Sequence, residues 1–430
     1  MRHHPEQYRL WNSQARHKFV CAGRGSGKTE LGKRYLVRAL PVPIANCLKP
    51  KYFASAPTYA QVEKVWWEDL KALVPAEWLS DKPDETHLII KTRFGSSIEL
   101  LGLDKPMRAE GSQYCGGIID ERSDTKPSAW SLSIRPTLST YSAWTWQIGV
   151  PKRTGIGAPQ FRQKFEYARD HPSLARDAFW WRSSDILPAS EITDLQEDLS
   201  MADYLEQGDA QWLDSGGILF SGFSPEESVR PCKYNQGSKI YVGCDFNVHA
   251  MSWCLGHWDG SNLYMFDELR MGSADRFTNT QAALDALYTR YPGHTGGWYF
   301  AGDASSRANK TSANRSDYVA IEEHPGFIKS GRIVNFPRSN PPIVDKAANT
   351  NRMLCNAAGQ RRVFIDPSCT HLLDDMKLQA ELKPISGSPL GHMSDALGYL
   401  LWKIAPLGAK TKGISRVIIN PGNSWVDTRK

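Results

Sequence analysis

The stretch "CAGRGSGKTE" (21–30) sets Lys28 and Thr29 behind Gly23, Gly25 and Gly27. These residue types at this spacing cradle phosphate. N–H groups of the loop Gly23, Arg24, Gly25, Ser26, Gly27 and of the helix start point at phosphate oxygens, Lys28 reaches the β/γ-phosphates, and Thr29 holds Mg²⁺. Ala22 stands where the pattern G-x-x-x-x-G-K-[ST] has its first glycine. A small alanine can fill that place if its backbone angles are not ones reserved for glycine. The apolar run "YCGGIIDE" (114–121) ends in the two acids such a loop needs. Asp120 would hold the magnesium shell and Glu121 would orient or deprotonate the attacking water. Arg24, inside the loop, would stabilise the transferring phosphoryl in cis, and Arg108 is a second arginine that would reach a neighbouring subunit. Gln7, ahead of the first strand, would read the adenine edge.

A second acidic set lies in the other half of the chain. Asp245 ends "KIYVGCDFN", Asp303 ends "GWYFAGD", and Asp395 follows Ser394, expected as the N-cap of the helix "DALGYLLWK". Three converging carboxylates repel one another unless cations sit between them. Two Mg²⁺ or Mn²⁺ ions about 3.5–4 Å apart would serve phosphodiester hydrolysis, activating water and stabilising the leaving oxygen. Asp267 and Glu268, ending the strand "LYMFDEL", are candidates for an auxiliary acid, and His392 is read as structural or supporting rather than as a ligand.

The elements that must hold these residues read as α/β. "HKFVCA" (17–22) is a buried strand, followed by the glycine loop and by a helix "TELGKRYLVRAL" with Leu31, Tyr35 and Ala39 on one face and Pro41 stopping it. Strand and helix signals alternate to about residue 150 and predict a mostly parallel sheet, with "YCGGIIDE" as a central strand. The Gly-, Ser- and Pro-rich stretch 185–235 is expected as a connector. Three antiparallel strands follow, joined at "DGSN", then "ADRFTNTQAALDALYTRY" as a helix with Phe277, Leu284, Leu287, Tyr288 and Tyr291 inward. "GWYFAGD" is a fourth strand and "RIVNFP" a fifth. A sheet ordered 3-2-1-4-5 would set Asp245 and Asp303 side by side. The expected division is 1–190 for the nucleotide domain, 191–236 for the linker, 237–408 for the second domain and 409–430 for a polar tail.

At this point the sequence resembles the large terminase subunit of tailed bacteriophages, over nearly its whole length. "HPEQYRLWNSQARHKFVCAGRGSGKTELG" is similar to the family's opening, with a Pro-x-Gln element before an arginine-containing P-loop. "ASAPTYAQVEKVWW" and "DKPMRAEGSQYCGGIIDERSDTKPSAW" resemble the segment after its second strand and its second ATPase motif. "QIGVPKRTG" (147–155) sits where the family couples hydrolysis to motion, without the usual Thr/Ser-Pro pair. "YVGCDFN", "YFAGDASS" and "HMSDALGYLLW" look like the three nuclease motifs. The resemblance implies an ASCE-type P-loop ATPase domain followed by an RNase H-like nuclease domain. It implies ATP-driven movement of double-stranded DNA through a portal protein into a procapsid, and cutting of concatemeric DNA at the start and end of packaging. It further implies a small terminase subunit as partner, a ring usually of five copies, and a place in the host cytoplasm, transiently on the procapsid and absent from the mature virion.

Bulk composition agrees with a globular protein: 430 residues, 41% hydrophobic and 23% charged. No apolar run approaches the roughly 18 residues a membrane span needs. The N-terminus has no signal-peptide stretch, and eight cysteines without a C-x-x-C pair indicate neither zinc nor a disulfide framework. The net charge of +6 suits a polyanion gripped through its phosphates. Candidate DNA-facing residues are the stretch Arg307 to Arg315, Lys152, Arg153 and the tail. The tryptophans of "VWWED" and "WWRSSD" are read as core or interface. A helicase-like ATPase with no metal-dependent cleavage, a resolvase that cuts junctions without ATP, and a structural ring component with relic sites are the competing classes.

Overall fold

The computed structural model describes residues 4–214, 219–247, 251–272, 278–304, 316–380, 382 and 390–407. The chain divides into two compact units, Met1–Gly222 with Cys355–Gln360, and Phe223–Leu354 with Arg361–Lys430.

The first unit is built on seven strands: β1 (His17–Ala22), β2 (Lys51–Ala56), β3 (Ile89–Lys91), β4 (Ser97–Gly102), β5 (Gly116–Ile119), β6 (Trp144–Gly149) and β7 (Arg176–Trp181). Their order is β3-β4-β2-β5-β6-β1-β7, with only β3 antiparallel to its neighbour. One strand, β6, thus separates β1, which feeds the glycine loop, from β5, which feeds Asp120 and Glu121. The loop and the acid pair both leave carboxyl ends of parallel strands, the edge where open α/β sheets bind ligands. The helix Lys28–Ala39 after the loop buries Leu31, Leu36 and Val37 and stops short of Pro41. It lies close to β5 because Gly32 has no side chain: a Cβ there would sit 3.0 Å from Ile118 Cδ1 and 3.3 Å from the Trp66 ring. Of the tryptophans in "VWWED" and "WWRSSD", Trp66, Trp67 and Trp181 are buried in the core. Trp180 is 39% exposed and donates its indole N–H to the Ala210 carbonyl at 2.9 Å.

His17 opens β1 with Nδ1 2.8 Å from Thr145 Oγ1. Burial, aided by nearby Arg16 and Arg135, pushes its imidazole down to about 4. The group is neutral in the fold, whereas the unfolded chain takes a proton below about 6.5. Its contribution to stability is therefore present above about pH 6.5 and is lost as pH falls toward 4. We expect His17→Gln to remove about 2–3 kcal/mol of the acid-side loss of stability, measured as the difference in unfolding free energy between pH 7 and pH 4.5. Equal acid sensitivity in wild type and variant would refute the assignment.

The second unit has six strands: β8 (Ile240–Asp245), β9 (Met251–Trp258), β10 (Leu263–Met271), β11 (Trp298–Gly302), β12 (Arg332–Val334) and β13 (Val363–Ile365). The order is β12-β11-β8-β9-β10-β13. The expected 3-2-1-4-5 arrangement is present, extended by β13 lying parallel to β10. Three apolar residues in a helical stretch gave no sign of that last strand. Gly302 is in register with Cys244, so Asp303 and Asp245 follow at the same sheet edge. The helix Thr280–Arg290 starts later than the pattern suggested, because Asn279 caps it through the Ala282 N–H at 2.9 Å. Leu284 and Leu287 are buried as expected, Tyr288 is 40% exposed, and Phe277 lies outside the described residues. All eight cysteines are unpaired. No helix among the described residues is long and apolar enough to cross a membrane.

Candidate functional sites

Ala22 ends β1 fully buried and is not among the positive-φ residues, so its position makes no demand that only glycine meets. The left-handed angles fall on Gly25 (φ 66°) and Gly27 (φ 80°). Gly23 is required for a different reason: a Cβ there would lie 2.3 Å from Ser183 Oγ and 2.4 Å from the Gly208 carbonyl. The loop is strapped from that side. Arg24 N–H donates to the Gln207 carbonyl at 2.6 Å, and Ser183 Oγ donates to the Arg24 carbonyl at 2.7 Å. From the other side Gln7 Nε2 and Trp181 Nε1 both donate to the Ser26 carbonyl, at 2.8 and 3.1 Å. Gln7 therefore acts first as a strut of the loop, with its amide oxygen left for other work.

Lys28 is buried, with Nζ 3.4 Å from the Gly23 carbonyl; desolvation lowers its pKa against the pull of Glu121 and Asp120. Thr29 Oγ1 donates to Asp120 Oδ2 at 3.0 Å, the juxtaposition a Mg²⁺ shell requires. Asp120 is raised to about 6 by burial and by the neighbouring Glu121 charge. Glu121 sits in the left-handed region (φ 48°, ψ 50°), a conformation costing roughly 1–3 kcal/mol for a non-glycine residue and found where surrounding structure imposes it. Its Oε2 is shielded from solvent without a hydrogen bond, 3.7 Å from Lys152 Nζ.

In the second unit Asp245 ends β8, Asp303 follows β11, and Asp395 lies in the first turn of the helix His392–Ile404. The expected cap is corrected. Gly391 (φ 98°) is the N-cap, and Ser394 lies inside the helix. Asp375 does the capping, accepting from Gly391 N–H and Ser394 N–H at 2.8 Å each. The three aspartates are near enough for charge to be felt among them. The Asp245 carboxyl is pushed up by burial and then by Asp395 and Asp303, against the hydrogen bond from His392. Two of them face basic side chains: His392 Nδ1 is 2.8 Å from Asp245 Oδ2, and Lys346 Nζ is 2.7 Å from Asp395 Oδ1. Turned this way, no three acidic, histidine or cysteine side chains among the described residues converge to hold a metal ion. The donor set itself, carboxylate oxygens at adjoining strand ends, is the kind hard divalent cations take. Asp267 and Glu268 serve elsewhere. Asp267 accepts from Arg290 and Tyr291 at 2.6 Å, and Glu268 caps the helix Thr370–Leu378 through His371 N–H and Leu372 N–H.

No protein-family model and no curated protein matches the sequence. Solved structures do. The large terminase of a thermophilic bacteriophage in complex with ATP-gamma-S overlays 93% of this chain and 98% of its own at 15% identity, TM-score 0.55. The same protein in complex with ADP overlays 93% and 99% at 15% identity, TM-score 0.56. The large terminase of bacteriophage HK97 overlays 93% and 95% at 12% identity, TM-score 0.43. The chain has the fold of a phage large terminase.

On that large-terminase fold, several expected roles meet their surroundings. The Arg24 side chain is exposed, with no hydrogen bond or ion pair among the described residues, and Arg108 is exposed with its guanidinium 5.8 Å from the Tyr59 ring centroid. Lys152 and Arg153 are engaged inside the first unit: Lys152 pairs with Asp124 and Glu121, Arg153 with Asp203 and Glu206. The stretch Arg307 to Arg315 and the tail lie outside the described residues.

Other residues had no signal in the sequence. Trp66, in a π-helical turn Glu63–Trp67, donates its indole N–H to Asp120 Oδ2 at 3.2 Å. Such turns are frequent at functional sites. Arg122 is fully buried and donates to Gln147 Oε1 (3.0 Å), the Thr125 carbonyl (3.2 Å) and Gln160 Oε1, which ties the acid pair to the segment "QIGVPKRTG". Burial alone lowers its guanidinium to about 10. Its partners are neutral side-chain and backbone oxygens, so no spacing of charges announced it.

Proposed function

We propose that this chain is the motor and cutter of viral genome packaging, a terminase large subunit. The reading is supported by the conjunction in one chain of a strapped phosphate loop beside Asp120 and Glu121 with a second unit in which Asp245 and Asp303 sit at adjoining strand ends and Asp395 is near enough for its charge to act on Asp245. Residues 1–190 form the motor domain, 191–236 the linker, 237–408 the nuclease and 409–430 a polar tail.

ATP is the substrate of the first site. Gly23 to Gly27 and Lys28 receive its phosphates, Gln7 faces the adenine, and Thr29 and Asp120 hold the Mg²⁺ that accompanies it. Glu121, whose Oε2 is shielded from solvent and accepts no hydrogen bond, takes the proton from the attacking water. Arg24 stabilises developing charge in cis, and Arg108 would do so on a neighbouring copy. Arg122 ties the acid pair to Gln147 and so transmits a change at Glu121 to the coupling segment. At the second site Asp245, Asp303 and Asp395 would hold two Mg²⁺ or Mn²⁺ ions, which when bound supply a nucleophilic hydroxide and neutralise the leaving oxygen. Double-stranded DNA passes through a portal protein, a small terminase subunit selects it, and five copies act as a ring in the host cytoplasm.

The test is a two-by-two assay on purified protein. Wild type is expected to hydrolyse ATP with Mg²⁺ and to linearise plasmid with Mn²⁺. Lys28→Ala should lose the first activity by at least about 10³-fold and keep the second, because it removes charge at the transferring phosphoryl. Asp245→Ala should do the reverse. A single variant abolishing both activities in well-folded protein would count against two separable sites.

A further inference from the structure

The aspartate cluster contains a lysine that belongs to no sequence motif. Lys346 lies on the helix Ile343–Leu354 and is 6% exposed. Its ammonium is 2.7 Å from Asp395 Oδ1 and 4.0 Å from the centroid of the Tyr399 ring. The stem crosses the neighbouring helix where that helix has no side chain: a Cβ on Gly398 would sit 2.9 Å from Lys346 Cγ and 3.1 Å from Cδ. Asp395, Gly398 and Tyr399 are spaced i, i+3, i+4 and so share one helix face. Together they form a cradle: a gap for the stem, a ring under the charge and a carboxylate to receive it. A buried ammonium in such a slot persists only when it is paired.

This arrangement explains why the three aspartates do not converge on one point. Asp395 is turned toward Lys346 and Asp245 toward His392. Resting on the reading of this cluster as a divalent-cation site, we propose that Lys346 is its built-in counter-ion. The ammonium neutralises Asp395 while no divalent cation is bound, and an incoming cation binds in competition with it. Lys346 thereby sets how much cation the nuclease needs before it can act, and keeps the cutting site quiescent at low cation. It is a positioning and charge-balancing residue; the scissile group is not its partner.

The test measures binding rather than cleavage. Free Mn²⁺ is titrated by its electron paramagnetic resonance signal against wild type, Lys346→Met, Lys346→Gln and Asp395→Asn in the full chain. Methionine keeps the stem against Gly398 and removes the charge; glutamine also keeps a neutral donor to Asp395, so it remains informative if Lys346→Met folds poorly. Both are expected to bind Mn²⁺ about tenfold more tightly than wild type, since a positive charge a few ångströms away is gone. Lys346→Met should in addition lower the melting temperature of metal-free protein, and saturating Mn²⁺ should restore it. Unchanged or weakened Mn²⁺ binding in both lysine variants overturns the counter-ion role while leaving the metal site standing. Identical Mn²⁺ binding by wild type and Asp395→Asn would overturn the metal site and this role with it.

Discussion

Glu121→Gln is expected to cut ATP turnover by at least about 10³-fold while leaving nucleotide binding within about twofold of wild type. The substitution is nearly isosteric, so it tests proton transfer and water orientation rather than packing. Glu121 occupies a left-handed backbone conformation, and glutamine inherits that cost unchanged. The proposed phosphate contact of Lys28 and the Thr29–Asp120 hydrogen bond do not involve it. What disappears is a carboxylate oxygen beside the loop that is shielded from solvent and accepts no hydrogen bond, with Lys152 at 3.7 Å and the Lys28 ammonium nearby to balance its charge. Phosphate release with and without DNA, and the thermal shift caused by a non-hydrolysable ATP analogue, separate chemistry from binding. Turnover within tenfold of wild type would remove Glu121 from its proposed role and leave the structure's other acid, Asp120, to be reconsidered.

The parts of this protein that the sequence disclosed share a property: their positions follow from local chain geometry. A strand, a glycine loop and a helix start fall within a few residues, so "CAGRGSGKTE" announces itself. Asp245 and Asp303 end strands, and strand order alone makes them neighbours. Residues placed by packing between distant elements stayed hidden. Lys346 and Asp395 are 49 positions apart and meet because two helices cross at Gly398. Trp66 looks like core from its neighbours, and it is core; the indole N–H pointing at Asp120 depends on the π-helical turn, which no composition rule predicts. The cap of the last helix was misread for a similar reason. Ser394 has the right chemistry for an N-cap, but Asp375, 19 positions earlier, supplies a carboxylate to the same backbone N–H groups and fixes the helix start at His392. Arg122 went unnoticed because its partners are uncharged. β13 is three residues long and pairs with a strand about a hundred positions away.

The second large effect is expected at Asp303. Asp303→Asn should lower Mn²⁺-dependent plasmid cleavage by at least about 10³-fold and leave ATP turnover within about twofold, because β11 and the glycine loop belong to different sheets in different units. Asparagine keeps the shape and one acceptor oxygen but removes the charge, and charge is what hard cations select. Gly302 and Cys244 are in register on adjacent parallel strands, so the backbones of Asp303 and Asp245 stay close while the β8–β11 ladder holds. The sheet thus keeps two carboxylates near each other: burial pushes the Asp245 carboxyl up, the His392 hydrogen bond opposes that, and Asp395 and Asp303 add smaller upward pushes. In the proposed nuclease a divalent cation bound between the two carboxylates would offset their repulsion. Cleavage by Asp303→Asn within tenfold of wild type would break that reading. It would favour a P-loop ATPase whose second unit holds DNA without cutting it, and the same assay would then show ATP turnover dependent on Glu121 in a protein with no nuclease of its own.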